Sequence, residues 1–280
     1  MSTGTVQIRP EHVQSDGSPL AWSLLTSRRW TAPRPINVYV IEHERGLVLF
    51  DTGQDRASVT DPRYFPAGLP GFLYARLARF AIGPDQTLTQ QLRRIGYEAA
   101  DVRTAVLSHL HQDHIGGLAE LTGAEILVSA QEQAGLDRPF ASTARGLLRE
   151  HIDLPGLRWV PVTPRPVDDP SIGPFTHAHD LFGDGSLVLV PTPGHTPGSL
   201  SLLLRQPGMT PMLFVGDLTY DVDLLDDGRV PGVGRRRGLR ESSRAVNELR
   251  ARCPDLVVLA AHDPSAAERL RSALAASAVG

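Results

Sequence analysis

Hydrophobic positions along the chain alternate between short β-rich runs and helical spacings. Residues 37–42 and 47–50 are two apolar runs joined by His43-Glu-Arg-Gly46, which predicts a hairpin. Asp51-Thr-Gly53 leaves the second run in a turn. Residues 54–84 read as irregular, because Pro62, Pro66, Pro70 and Pro84 interrupt an aromatic cluster of Tyr64, Phe65, Phe72, Tyr74 and Phe80. A helix is expected over residues 87–95, with Thr87 as N-cap, Leu88, Leu92 and Ile95 on one face and Gly96 as its stop.

Strands at 104–107 and 126–128 then flank a short helix at 117–121, and residues 141–150 look helical. The proline-rich stretch 155–180 carries few periodic signals. Apolar strands are expected at 186–190, 200–204 and 212–215, followed by a helix at 241–252, a buried strand at 255–260 and a closing alanine-rich helix. Interleaved strands and helices, with no low-complexity linker, predict one layered α/β domain over residues 1–280.

Composition narrows the chemistry. With 41% hydrophobic residues in 280, the chain can bury a sizeable core. Its 28 basic and 31 acidic residues nearly cancel, so charge suggests neither a nucleic-acid nor a membrane-surface partner. All 28 basic residues are arginine, which excludes Schiff-base chemistry and a P-loop, both of which need a lysine amine. Cys253 is the single cysteine, so neither an intrachain disulfide nor a multi-cysteine zinc site is available. No apolar run approaches the roughly 18 residues of a membrane span, and no signal peptide is visible at the N-terminus. The expected compartment is the cytoplasm.

The ten histidines therefore hold the candidate metal chemistry. Ser108-His-Leu-His-Gln-Asp-His-Ile-Gly-Gly117 concentrates His109, His111, Asp113 and His114 immediately after a strand. In extended backbone, residues two apart project from the same face, so His109 and His111 leave together. One ion rarely takes four ligands from so short a segment, since a tetrahedral site needs donors from several directions. His195 in Pro191-Thr-Pro-Gly-His-Thr-Pro197, Asp217 after residues 212–216 and His262 after residues 256–261 each follow an apolar strand. Loops at strand ends are where α/β folds carry function.

This order of H-x-H-x-D-H, histidine, Gly-Asp and histidine, with Asp51-Thr-Gly53 before it, resembles the metallo-β-lactamase superfamily over about residues 38–262. The resemblance implies an αββα four-layer sandwich with a metal site at one edge of its two sheets. It implies that His109, His111 and His195 hold one ion, that Asp113, His114 and His262 hold a second, and that Asp217 bridges both. Tyr220, three residues after Asp217, resembles the tyrosine with which N-acyl homoserine lactonases (quorum-quenching enzymes) contact the substrate carbonyl. Gln112 departs from that pattern, since those lactonases commonly carry an aromatic residue there, and the His114–His195 interval is longer here.

The implied function is a dinuclear lactonase that opens N-acyl homoserine lactones or similar lactones by attack of a metal-bridging hydroxide. Asp113 would shuttle the proton and Tyr220 would steady the developing oxyanion. Two divalent ions are expected, zinc first, with iron, manganese or cobalt also suited to histidine and carboxylate ligands. Asp51 is either a partner that orients a ligand histidine or an ordinary turn aspartate. Phe72 and Tyr74 are candidate acyl-chain contacts within an aromatic lip that could instead cap the core or meet a second subunit, so a homodimer is entertained. The expected partner is a small lactone or ester, with no nucleic acid and no membrane. Alternatives on the same scaffold are a thioesterase of glyoxalase II type, an arylesterase, an organophosphate hydrolase, and a non-catalytic metal-binding protein. Classical β-lactam hydrolysis is disfavoured by the bridging position of Asp217. His177 and His179 read as a solvated loop pair, and Arg229, Arg235, Arg236, Arg237 and Arg240 as a solvated basic loop. His12, His43 and His151 read as surface or ordinary core residues.

Overall fold

Runs of Val, Ile, Leu and Phe buried on both faces form the central strands, as parallel pairing requires. The computed structural model describes residues 1–137 and 146–277, with the backbone alone at Pro70. These fall into two compact units, Met1–Pro10 with Ser18–Pro161, and Glu11–Gly17 with the chain from Val162 onward.

The first unit holds two sheets. β1 (Ser2–Ile8), β2 (Arg34–Asn37) and β5 (Ala78–Ala81) form a three-stranded antiparallel sheet in the order β2-β1-β5. β3 (Tyr39–His43), β4 (Gly46–Phe50), β6 (Val102–Val106), β7 (Glu125–Ser129) and β8 (Arg158–Val162) form a five-stranded sheet in the order β3-β4-β6-β7-β8. The β3–β4 hairpin pairs Tyr39 with Phe50, whereas β4, β6 and β7 run parallel, with Phe50 opposite Val106 and Val106 opposite Leu127. That register sends residue 51 and the segment after β6 out of the same sheet edge. Ligands bind beyond the carboxyl ends of parallel strands, because only there do several loops converge. Val38, Leu49, Leu107, Leu110, Ile115, Leu118 and Ile126 share the core beneath that edge.

The second unit holds a six-stranded sheet, ordered β14-β13-β12-β11-β10-β9. Its strands are β9 (Arg165–Pro166), β10 (His177–Asp180), β11 (Leu187–Pro191), β12 (Leu200–Leu204), β13 (Met212–Phe214) and β14 (Val257–Leu259). β13 and β14 run parallel with Phe214 opposite Leu259, so Asp217 and His262 each lie three residues beyond a matched pair. β11 ends at the same edge, with Pro191 opposite Leu200. The helix Arg236–Arg252 buries Leu239, Ser242, Ser243, Val246 and Leu249, a stripe at helical spacing against the core that includes Val190, Leu213 and Val258. Gly194 touches this helix closely, since a Cβ there would stand 2.5 Å from the Leu239 nitrogen.

The helix at residues 87–95 forms as Leu88–Arg94, with the Thr87 hydroxyl accepting from the Gln90 amide. Several expectations are corrected. Residues 54–84 contain helices Ala57–Thr60 and Leu69–Leu77 and the strand β5, because Pro70 sits in the first turn of its helix, where the missing N–H costs nothing. β1 carried no recognised signal. His177 and His179 lie on β10, hydrogen-bonded between β9 and β11, and not in a loop. The arginine run opens the long helix, whose Arg237 pairs with Glu241 across one turn, so only Arg229 and Arg235 precede it. The helix expected over residues 141–150 lies, up to residue 145, outside the described residues; Arg149–Ile152 is helical. Among the described residues no helix is long and apolar enough to cross a membrane.

Candidate metal centre

In the first unit the site begins with Asp51, whose φ of 62° is left-handed, a region aspartate tolerates better than most residues. From there its carboxylate spans the end of β6. Oδ1 accepts the Ser108 amide at 2.7 Å, and Oδ2 accepts the Ser108 hydroxyl at 2.9 Å and His114 Nδ1 at 2.8 Å. His114 and Asp51 are both buried. A ring whose Nδ1–H is donated to a carboxylate presents a bare Nε2, the state a metal ligand needs. The Thr52 amide and hydroxyl bind the His114 carbonyl, and Gly116 donates to the Gly53 carbonyl at 2.6 Å. Gly116 permits this zipper, because a Cβ there would lie 2.0 Å from the Asp55 nitrogen.

His109 is held from behind as well, its Nδ1 3.0 Å from the Ser108 hydroxyl. Its Nε2 faces His111 Nδ1 at 3.0 Å, with the two rings nearly perpendicular. His111 precedes the short helix Gln112–Ile115, which turns Asp113 and His114 toward one position, Asp113 Oδ1 standing 3.8 Å from His114 Nε2. Asp113 is half-buried, unlike His109 and His114.

The second unit contributes three donors of its own. Asp217 Oδ2 lies 3.4 Å from His195 Nε2, and its other oxygen, Oδ1, lies 3.4 Å from His262 Nε2. All three side chains are buried. These separations are long for hydrogen bonds between such groups, which center near 2.9 Å. They match two ligands about 2.1 Å from a shared tetrahedral ion, which stand roughly 3.4 Å apart. Asp217 thus offers one carboxylate oxygen beside each histidine. The donor set fits divalent metal, and histidine with carboxylate and no thiolate suits zinc, iron, manganese or cobalt. Tyr220 is buried in the same unit, its ring stacked on His262 at 5.6 Å and edge-on to His195 at 6.3 Å.

The sequence profile of the Metallo-beta-lactamase superfamily matches residues 31–262. The chain belongs to that superfamily. Among curated relatives, N-acyl homoserine lactonase AttM of Rhizobium radiobacter is 31% identical over 234 residues, covering 83% of each chain. A probable metallo-hydrolase of Mycobacterium tuberculosis is 34% identical over 244 residues, covering 81% of this chain and 74% of its own. A solved structure of an N-acyl homoserine lactone hydrolase, with the product N-hexanoyl-L-homoserine at its catalytic metal center, shares the fold. Its TM-score is 0.74 at 23% identity, over 97% of this chain and 94% of that one.

Each unit of this superfamily member brings its own predicted ligands to a strand edge: His109, His111, Asp113 and His114 in the first, and His195, Asp217 and His262 in the second. His177 and His179 join no potential metal grouping among the described residues. Phe72 is exposed, whereas Tyr74 on the same helix turns inward, where burial and the negative charges of Asp113 and Glu150 push its phenol up. Phe65 stacks on Tyr74 and Phe80, so much of the aromatic cluster packs on itself.

Sequence reasoning missed Ser108, which ties Asp51 to His109. Its place directly before the H-x-H motif was the available signal. Nor does the sequence connect Gln54, Tyr64, Gln112 and His151, polar residues separated by up to 97 positions that meet beside the short helix. No motif links them.

Proposed function

We propose that this protein is a dinuclear metal-dependent lactonase that opens the ring of N-acyl homoserine lactones or similar lactones. The observation that carries the reading is Asp217, one carboxylate oxygen beside His195 and the other beside His262. The kinship with curated N-acyl homoserine lactonases supports the substrate class.

In this reading His109, His111 and His195 hold one ion, Asp113, His114 and His262 hold the other, and Asp217 contacts both. When bound, such a pair lowers the pKa of water toward neutrality and polarises a carbonyl oxygen. The chain's own residues do the rest. Asp51 fixes the tautomer and orientation of His114, and Ser108 steadies His109. The Tyr220 hydroxyl donates a hydrogen bond to the lactone carbonyl oxygen as negative charge builds there. Asp113 takes the proton of the attacking water on Oδ2 and returns it to the ring oxygen as the acyl–oxygen bond breaks. The net change is addition of one water across that bond, giving an N-acyl homoserine. Phe72 and Tyr74 line the path of the acyl chain. With no lysine and one cysteine, a covalent intermediate has no evident nucleophile outside the site.

The test is a panel of lactones, thioesters, phosphotriesters and β-lactams, assayed on protein of measured metal content. The reading expects N-acyl homoserine lactones to give the highest kcat/KM. A thioester or phosphotriester preferred over every lactone would replace it with another hydrolase of the superfamily. Turnover of no member would favour a binding protein.

A further inference from the structure

Gln112 stands between two proposed metal ligands, His111 and Asp113, at the start of the helix Gln112–Ile115. A side chain at such a position could point to solvent, yet this one is buried. Its Oε1 accepts His151 Nδ1 at 2.6 Å and lies 3.3 Å from the Tyr64 hydroxyl. The same hydroxyl lies 3.3 Å from Gln54 Oε1, which is itself fixed by the Asp55 amide at 2.9 Å. The Tyr64 ring stacks on the His151 imidazole, with centroids 4.0 Å apart and an interplanar angle of 22°. Four segments of the first unit are therefore linked through the Gln112 amide and the Tyr64 hydroxyl: the turn after β4, the loop at Tyr64, the helix Gln112–Ile115 and the helix Arg149–Ile152.

A short helix has little stability of its own, because nucleation costs several fixed dihedrals for one hydrogen bond. The backbone at residues 111–113 is instead pinned from the far end of Gln112. An apolar side chain of equal size could fill the space, but it would leave His151 Nδ1 without this acceptor, while the Tyr64 hydroxyl would keep only Gln54 Oε1. Burial keeps His151 less basic than usual, with Glu150 and Asp55 opposing that shift.

Building on the dinuclear reading, we infer that His151 and Gln112 form a clamp that positions Asp113 and so sets the affinity of the ion Asp113 helps to hold. Gln112 and His151 are positioning residues; neither touches substrate.

The experiment titrates Zn2+ into the chelated, full-length protein against a competing chromophoric chelator, with unfolding midpoints recorded for every variant. His151→Phe keeps the ring stacked on Tyr64 and removes the donor, whereas His151→Asn supplies an amide N–H near the position of Nδ1. Loss of partners around a metal ligand typically weakens metal binding 10- to 100-fold. We expect His151→Phe and Gln112→Leu to weaken one of the two Zn2+ ions, the one Asp113 helps to hold, by about tenfold, with the other unchanged and His151→Asn near wild type. Wild-type affinities for both ions in His151→Phe, or no recovery in His151→Asn, overturn the clamp alone. A wild-type chain that binds fewer than two ions overturns the dinuclear reading, and the clamp with it.

Discussion

Asp51 Oδ2 and His114 Nδ1 lie 2.8 Å apart although 63 positions separate the two residues in the chain. The parallel pairing of β4 with β6 brings them to one edge, and the left-handed backbone at Asp51 aims the carboxylate across it. Replacing this oxygen by an amide removes the acceptor that holds the His114 tautomer. Asp51→Asn should therefore bind zinc 10- to 100-fold more weakly while remaining folded. Zinc titration with an unfolding curve measures both.

Tyr220 stacks on His262 inside the second unit, and in the proposed reading its hydroxyl donates to the substrate carbonyl. Tyr220→Phe keeps that packing and deletes only the hydroxyl. We expect kcat on N-acyl homoserine lactones to fall on the order of a hundredfold, as for loss of one oxyanion donor, with zinc content unchanged. An equal kcat in the phenylalanine variant would remove Tyr220 from the chemistry.

Gly116 has no room for a methyl group. Alanine there would press on the Asp55 nitrogen and on the Gln54 backbone, both of which must then shift. A cost of about 1–3 kcal/mol is expected from such overpacking, read as a lowered urea midpoint. Zinc binding should weaken in parallel, because the same zipper holds the His114 carbonyl.

His151 gives a pH dependence with a definite sign. Its pKa is lowered from 6.5 by burial, so the unfolded chain binds its proton more readily than the folded one. Stability from this residue is present above pH 6.5 and is lost as pH falls through that value toward the lower folded pKa. In metal-free protein, Tm between about pH 5 and 7 should climb less steeply for His151→Asn than for wild type. Parallel profiles would mean that His151 is as solvated folded as unfolded.

Much of this candidate site was legible because its proposed ligands sit in short motifs at strand ends. H-x-H-x-D-H followed a readable strand, and Asp217 and His262 each closed an apolar run. The β3–β4 hairpin and the helix capped by Thr87 were legible for the same reason, since local chemistry decides them. The helix Leu69–Leu77 was hidden by Pro70 and by its flanking glycines, which read as breakers although the proline occupies a permitted first turn. The long helix began earlier than its apolar stripe suggested, because its first residues, Arg236 and Arg237, add no hydrophobic period. Gln112 and His151 could not be paired from sequence, since nothing in 38 intervening residues signals their contact.

In the proposed reading, His109, His111, Asp113, His114, His195, Asp217 and His262 hold a pair of ions that the reaction needs. That reading is tested most directly by following N-acyl homoserine lactone hydrolysis as zinc is returned, ion by ion, to verified apo-protein. Turnover should be negligible without metal and should reach its plateau at two zinc ions per chain. Full turnover in the apo-protein, or a plateau at one ion, would contradict it.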